Sequence, residues 1–216
     1  MFTIPDELVE LGQKRIEGYD VQGFVRSQGS ISPKLLLIGE APGENEIETG
    51  IPFIGRAGDE LMKSLNSIGL SRDDVYMTSP VRSRPYKWGT KKERDGTMVK
   101  RTYNRAPKPA EILAHAPLLD YEIKHLQPQL IVTLGTIGLQ RLLGKKAKVT
   151  ELHGQKLIQP IQYLHKLEDK QFSLTSQTYI IVPTFHPASV FYRPSLREQV
   201  EADWQKIGQY LKETTL

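Results

Sequence analysis

Two apolar runs that stop abruptly at polar, chemistry-bearing residues constrain this chain more than any other feature. Residues 35–58 read LLLIGEAPGENEIETGIPFIGRAG, and residues 179–187 read YIIVPTFHP. The first run opens into Glu40, Pro42, Gly43 and Phe53, and the second into His186 and Pro187. Strand ends that present such groups are the usual way in which an open α/β sheet builds a site.

The rest of the chain alternates in the manner such a sheet requires. Helical spacing runs from Pro5 to Glu17, from Ala57 to Ile68 with Gly69 as its stop, and from Thr136 to Leu143, closed by Gly144. A longer helix is expected over Pro109–Leu126, bent at Pro117. A terminal helix is expected over Ser195–Lys212, with Ser195 as N-cap and Glu198 completing a capping box. Strands are expected at Lys34–Ile38, Val75–Thr78, Leu130–Leu134 and Tyr179–Pro183. Strands alternating with helices predict a three-layer αβα sandwich around a central four-stranded parallel sheet. No repeat interrupts it, so a single domain is expected over 1–216. Residues 145–176 are polar and read as a loop with a short extended pair.

With 216 residues, 38% of them hydrophobic, the chain can bury one substantial core. No apolar run approaches the roughly 20 residues that span a bilayer. The start, MFTIPDELVELGQKR, has no charged-then-apolar leader pattern, so a cytoplasmic monomer is the expectation. The chain has no cysteine, which excludes disulfides and thiolate metal sites; no cofactor is expected. Net charge is +4, unevenly spread. Between Arg82 and Arg105 nine cations stand against two anions, which leaves the remainder of the chain net acidic. Tyr86, Trp88 and Tyr103 are interleaved with them. A basic, aromatic loop on a near-neutral body reads as a phosphate-backbone contact; the alternative is a solvated loop without a partner.

The motifs G-E-A-P-G-x-x-E, T-G-x-P-F-x-G-x-A-G and H-P-A-S follow one another in this order, each near the end of a strand-like run. Together they resemble the uracil-DNA glycosylase superfamily, and most nearly its bacterial and archaeal family-four branch. The resemblance runs from about Lys34 to Lys212, with an insertion around residues 86–103. It implies a repair enzyme that flips a damaged base out of DNA and hydrolyses its N-glycosidic bond. The partner is then DNA containing a damaged base.

The resemblance also implies roles. Glu40 would stand beside the flipped nucleotide, orienting water or offsetting positive charge on the sugar; as a bare residue it is equally a surface carboxylate. His186 would stabilise the anionic base oxygen, although a histidine beside proline is often structural. Phe53 would supply the face on which the base stacks; the alternative is a core plug. Gly39, Ala41 and Gly43 would let the backbone approach, with the glycine amides donating to the base. Arg56 opens a helix whose free amides suit a phosphate. Ser189, Phe191, Tyr192 and Arg193 fall in the expected minor-groove loop, with Phe191 and Tyr192 as candidate wedges. Arg82, Arg84, Lys91, Lys92, Lys100 and Arg101 are the candidate backbone contacts.

Several positions depart from the family. Its four cluster cysteines are gone: Ser83 and His115 stand at two of the positions, and the segment from Arg15 to Asp20 holds none. Ser79 stands where an asparagine amide reads uracil, and it offers a single hydroxyl. Tyr192 stands where arginine is usual. One branch of the superfamily bonds to DNA through a loop histidine; here Asn104 occupies that place, so a covalent bond is not expected. The alternatives are therefore a catalytically weak or inactive DNA-binding homologue, or an α/β protein that binds free nucleotides or bases.

Overall fold

The computed structural model describes residues 4–214. The first three residues of the N-terminal stretch and the last two of the expected domain lie outside the described residues.

Eleven strands are present among the described residues: β1 (Val21–Gln22), β2 (Gln28–Gly29), β3 (Leu35–Ile38), β4 (Val75–Thr78), β5 (Arg84–Lys92), β6 (Met98–Asn104), β7 (Ile131–Leu134), β8 (Leu157–Gln159), β9 (Gln162–Tyr163), β10 (Ser173–Leu174) and β11 (Tyr179–Thr184). The α-helices are α1 (Asp6–Arg15), α2 (Glu44–Thr49), α3 (Gly55–Ser67), α4 (Pro109–Leu126), α5 (Thr136–Leu143), α6 (Val149–Leu152), α7 (Ser189–Tyr192) and α8 (Arg197–Thr214).

The main sheet has the order β2-β4-β3-β7-β11-β8. Its four inner strands are parallel, as expected, and two short antiparallel strands extend the edges. Every residue of β3, β4 and β7 is buried, because helices cover both faces. Alternate residues point to opposite faces. Leu35, Leu37, Val132 and Val182 pack against Leu61 and Leu65 of α3 and Trp204 and Ile207 of α8. Leu36, Ile38, Ile131 and Ile181 pack against Leu119, Ile123 and Leu126 of α4.

The chain reverses its winding between β3 and β7. From β3 it crosses through α3 to β4 on one side, then through α4 to β7 on the other. The crevice outside the carboxyl ends of these strands is where an open α/β sheet binds ligands. Glu40 follows β3, Ser79 follows β4 and His186 follows β11, so all three arrive there.

Some elements differ from the sequence reading. The 86–103 insertion is a β-hairpin, β5 paired antiparallel with β6, turning at Asp95-Gly96 with Gly96 in the left-handed region (φ 89°). Ser195 lies inside a 3₁₀ turn, Pro194–Leu196, and α8 starts only at Arg197. Within 145–176, β9 and β10 form the short pair while β8 joins the main sheet. Helix α4 runs through Pro117. Proline has no N–H for the carbonyl of Leu113; Arg15 Nη2 donates to that oxygen instead (3.2 Å), and Arg15 Nε to Ala114 O (2.8 Å).

The segments that cysteines bind in the resembled family are held here by hydrogen bonds. His115 on α4 is fully buried. Its Nδ1 accepts from the Arg82 amide (2.9 Å), and its Nε2 donates to Gly12 O of α1 (3.2 Å). Burial, with Arg82 adding to it, pushes His115 down to about 3. Both ring nitrogens are occupied and Ser83 offers only a hydroxyl, so this donor set does not fit an iron–sulfur cluster.

The neutrality of His115 has a pH signature. Unfolded, it titrates near 6.5. The unfolded chain therefore binds the extra proton first as pH falls, and stability is lost from about pH 6.5 downward. At pH 5 the loss from this one residue is about 2 kcal/mol. The drop in melting temperature between pH 7 and pH 5 should be smaller in His115→Gln, which keeps a donor and an acceptor but does not titrate. An equal drop in both proteins would mean that His115 is not held neutral.

Candidate active site

The crevice holds a cleft of about 640 Å³, lined by Glu40, Ala41, Gly43, Phe53, Ser79 and His186, among others. Six of the seven residues expected to handle the base therefore line one cavity; the seventh, Gly39, lies under it.

Phe53 is the centre of the arrangement. Its ring lies so close over Gly39 that a Cβ there would come within 2.5 Å of the ring. Only glycine fits. The ring centroid is 6.4 Å from that of His186, with the planes tilted 31°. Phe53 has φ 53°, a conformation that an L-residue adopts only when its surroundings impose it. Two charged side chains do so. Glu46 Oε1 accepts from the Phe53 amide (2.5 Å), and its Oε2 accepts from the Gly43 amide (2.5 Å). Arg72 donates to Phe53 O (3.2 Å) and to Pro52 O. Glu46 closes the G-E-A-P-G-x-x-E motif; nothing in the sequence ties Arg72 to it, and neither had been assigned a function.

These bonds correct the expected base contacts. The Gly43 amide is taken by Glu46, and the Gly39 amide donates to Thr78 O (2.8 Å). Neither is free for a ligand. Among the described residues the amides of Glu40 and Ala41 make no hydrogen bond, so the available donors are shifted one or two residues along the loop.

Glu40 and Glu46 sit in contrasting environments. Glu46 is held by amides and by Arg72, which oppose the upward push of burial. Burial alone raises the Glu40 carboxyl above its ordinary value, with no partner to offset it. Burial pushes His186 down to about 4, so it is neutral near pH 7. Its Nδ1 accepts from the Ala188 amide (3.2 Å), which leaves the proton on Nε2. Ser79 donates its hydroxyl hydrogen to Val81 O (2.8 Å), which leaves oxygen lone pairs on the hydroxyl.

The sequence profile of the Uracil DNA glycosylase superfamily matches residues 26–212. The chain belongs to that superfamily. A Type-4 uracil-DNA glycosylase of Sulfurisphaera tokodaii is 34% identical over 188 residues, 85% of this chain and 72% of that protein. One from Thermotoga maritima is 30% identical over 217 residues, 96% of each chain. A DNA polymerase of Bacillus phage SP01 is 25% identical over 192 residues, 88% of this chain but 17% of the polymerase.

Against this superfamily pattern, the expected DNA contacts divide. Arg82 is 2% exposed and Arg84 3% exposed, so neither is a surface phosphate contact. Arg82 pairs with the buried Glu122 (2.5 Å). Arg84 donates to Asn104 Oδ1 (2.5 Å), Gln22 Oε1 (2.7 Å) and Thr102. Asn104 lines the cleft where the covalent branch has its histidine, and a carboxamide is no nucleophile there. Arg101 is exposed and pairs with Glu44 (2.9 Å); Lys91 is exposed and pairs with Glu93. Lys92 and Lys100 are exposed and make no ion pair among the described residues. The Ser189 hydroxyl is buried without a hydrogen-bond partner among the described residues, and its amide donates to His186 O (2.8 Å). The two wedge candidates also separate. Phe191 packs on the core with the Arg56 guanidinium 4.3 Å over its ring, whereas Tyr192 is 85% exposed beside the cleft. Arg193 is exposed.

Removing the Glu46 carboxylate should release the Phe53 loop. Glu46→Ala leaves two amides without acceptors, at a cost of up to about 1–3 kcal/mol each. Amide hydrogen exchange at Gly43 and Phe53 should quicken in this variant while exchange in β3 stays slow. Unchanged exchange at Phe53 would show that the loop holds its shape without the clamp.

Proposed function

We propose that this protein removes uracil, or another deaminated base, from DNA by hydrolysing the N-glycosidic bond of a flipped nucleotide. The observation that carries the reading is the convergence of Glu40, Phe53 and His186 in one cleft at the winding reversal of the sheet.

The chemistry follows from charge. As the bond from C1′ to the base breaks, its electron pair leaves with the base, and the sugar becomes oxocarbenium-like. The base lies against the Phe53 ring. His186 is neutral and donates Nε2–H to the base oxygen that gains negative charge; a fixed neutral donor of this kind needs no proton transfer. The unpaired carboxylate of Glu40 faces the cleft, where it offsets the sugar's positive charge or directs water at C1′. Water adds its oxygen to C1′, its spare proton passes to solvent, and the base leaves as an anion. The free amides of Glu40 and Ala41 are further donors to that anion. Tyr192 fills the gap left in the stack. The exposed cations of the β5–β6 hairpin, with Arg56 and Arg193, meet the phosphates.

Ser79 reads the base differently from an asparagine. Its hydrogen is held by Val81 O, so it presents an acceptor. An acceptor suits the N3–H of uracil and repels the N3 lone pair of cytosine. It lacks the second contact that an amide makes.

Release of free base from uracil-containing oligonucleotides tests the reading. Glu40→Ala and His186→Ala should each lower single-turnover excision by about 10²–10³-fold. DNA affinity should change little, because phosphate contacts dominate it. Full excision by both variants would displace the assigned site. The pH profile gives a second test. Glu40 must be ionised, and its pKa lies above the ordinary 4.5, so excision should fall on the acid side beginning above that value. His186 stays neutral down to about 4 and leaves that limb unshaped.

Ser79→Asn should strengthen uracil excision by restoring the second contact, which for a well-placed polar pair is about 1–3 kcal/mol, or roughly 5- to 150-fold in rate. Loss of excision in this variant would mean that the pocket is built for another base, and a panel of hypoxanthine, xanthine and uracil substrates would identify it.

A further inference from the structure

The β5–β6 hairpin carries an aromatic feature that phosphate contact does not use. Its root borders the cleft through Pro85, Asn104 and Arg105, and Glu44 of α2 anchors it by pairing with Arg101 (2.9 Å). Directly opposed residues of an antiparallel ribbon share a face. The pairs Tyr86↔Asn104, Trp88↔Thr102 and Thr90↔Lys100 define one such face, leading outward from the cleft. On it the Tyr86 and Trp88 rings meet edge to face at 5.9 Å, and Lys100 Nζ lies 4.6 Å from the Trp88 ring centroid. Trp88 is nevertheless 58% exposed. The third aromatic is spent otherwise: Tyr103 lies over Gly89 on the opposite face, where a Cβ would be 2.8 Å from its ring.

An open indole beside an ammonium, in a surrounding of lysines, matches one chemistry well. It fits a flat base attached to a phosphate. A duplex hides its base faces within the stack, so it gains nothing from an indole at this position. An unpaired strand presents them.

We propose that the hairpin is a single-strand grip: Trp88, propped by Tyr86, stacks on an unpaired base next to the flipped nucleotide, while Lys92 and Lys100 meet its phosphates. This rests on the cleft's receiving a flipped nucleotide, and it adds that the protein works preferentially where the neighbouring bases are unpaired.

The chain has two tryptophans, and the other, Trp204, is 2% exposed in the core, so quenching by added DNA reports Trp88. Uracil-free oligothymidine should quench the emission. A strand of the same length made of abasic residues, and a blunt duplex, should quench little. Trp88→Ala should weaken oligothymidine binding by about tenfold, with the salt slope and duplex affinity unchanged, since no charge is removed. Trp88→Phe should retain most of the binding. Equal quenching by the abasic strand, or equal weakening toward duplex, would overturn stacking and leave a phosphate contact only. Excision by the Trp88→Ala and Glu40→Ala proteins, measured on the same preparations, separates the two readings. Loss confined to Glu40→Ala with no quenching in wild type would sink the grip and spare the glycosylase.

Discussion

Two buried charges, Arg82 and Glu122, hold the wall of the cleft that carries Ser79. Glu122 on α4 is fully buried and accepts from Arg82 Nη2 (2.5 Å), the Thr78 hydroxyl (2.6 Å) and the Tyr76 hydroxyl (3.0 Å). Arg82 reaches on to Ser27 beside β2, and its amide donates to His115. One carboxylate thus ties α4 to β4 and to the loop that follows it, and through His115 that loop is tied to α1. A desolvated pair of this kind adds little to stability by itself, but losing one partner costs about 3–5 kcal/mol because a bare charge remains inside. Its contribution is positional. The family branch nearest this chain would use a metal cluster to join the same segments. Here the joint is a set of directional hydrogen bonds, in which both oxygens of Glu122 and both ring nitrogens of His115 have partners.

On the other wall a second carboxylate, Glu46, does comparable work, and the contrast with Glu40 shows how environment separates roles. Glu46 faces two amides and Arg72, so its charge is spent on holding Phe53 in a left-handed conformation. Glu40, six residues earlier, has burial without a partner. Under the proposed function its charge would be available to a cation forming in the cleft, and its desolvation would strengthen that interaction. The strain at Phe53 belongs to the same logic. The left-handed φ of 53° goes with a ring that lies over Gly39, its centroid 6.4 Å from that of His186.

Much of this was legible in the sequence, for identifiable reasons. The four parallel strands are continuous apolar runs because both faces of the sheet are covered, and α5 matches its expected bounds because Gly144 stops it. Glu40, Ser79 and His186 meet because strand ends in such a sheet converge. The hairpin too has a sequence signal, since Asp95-Gly96 between the runs of β5 and β6 is a turn dipeptide. Other features were not legible. The partners of Arg82 and Arg105, Glu122 and Glu111, are set by tertiary contact, so a count of local charge overstated the surface footprint. Which backbone amides stay free is likewise invisible until Glu46 and Thr78 are seen to take two of them.

The distribution of contacts bears on how a base is extracted. Phosphate contacts are nearly the same for a stacked and a flipped nucleotide, so they raise affinity without driving extrusion. Unpairing and unstacking cost a few kcal/mol, and only contacts made in the flipped state offset that cost. Under the function proposed above, those contacts would be the Phe53 face, the His186 donor, Tyr192 in the gap, and a serine that makes one polar contact where an amide would make two. The flipped state would then be rewarded less than in a pocket with asparagine at this position. A substrate whose bases are already unpaired lowers the cost on the other side of the balance. On the two proposals together, the exposed indole of Trp88 and the shortened side chain at Ser79 would be parts of one arrangement, in which weaker reading inside the cleft is matched by a surface that selects strands needing less work to open.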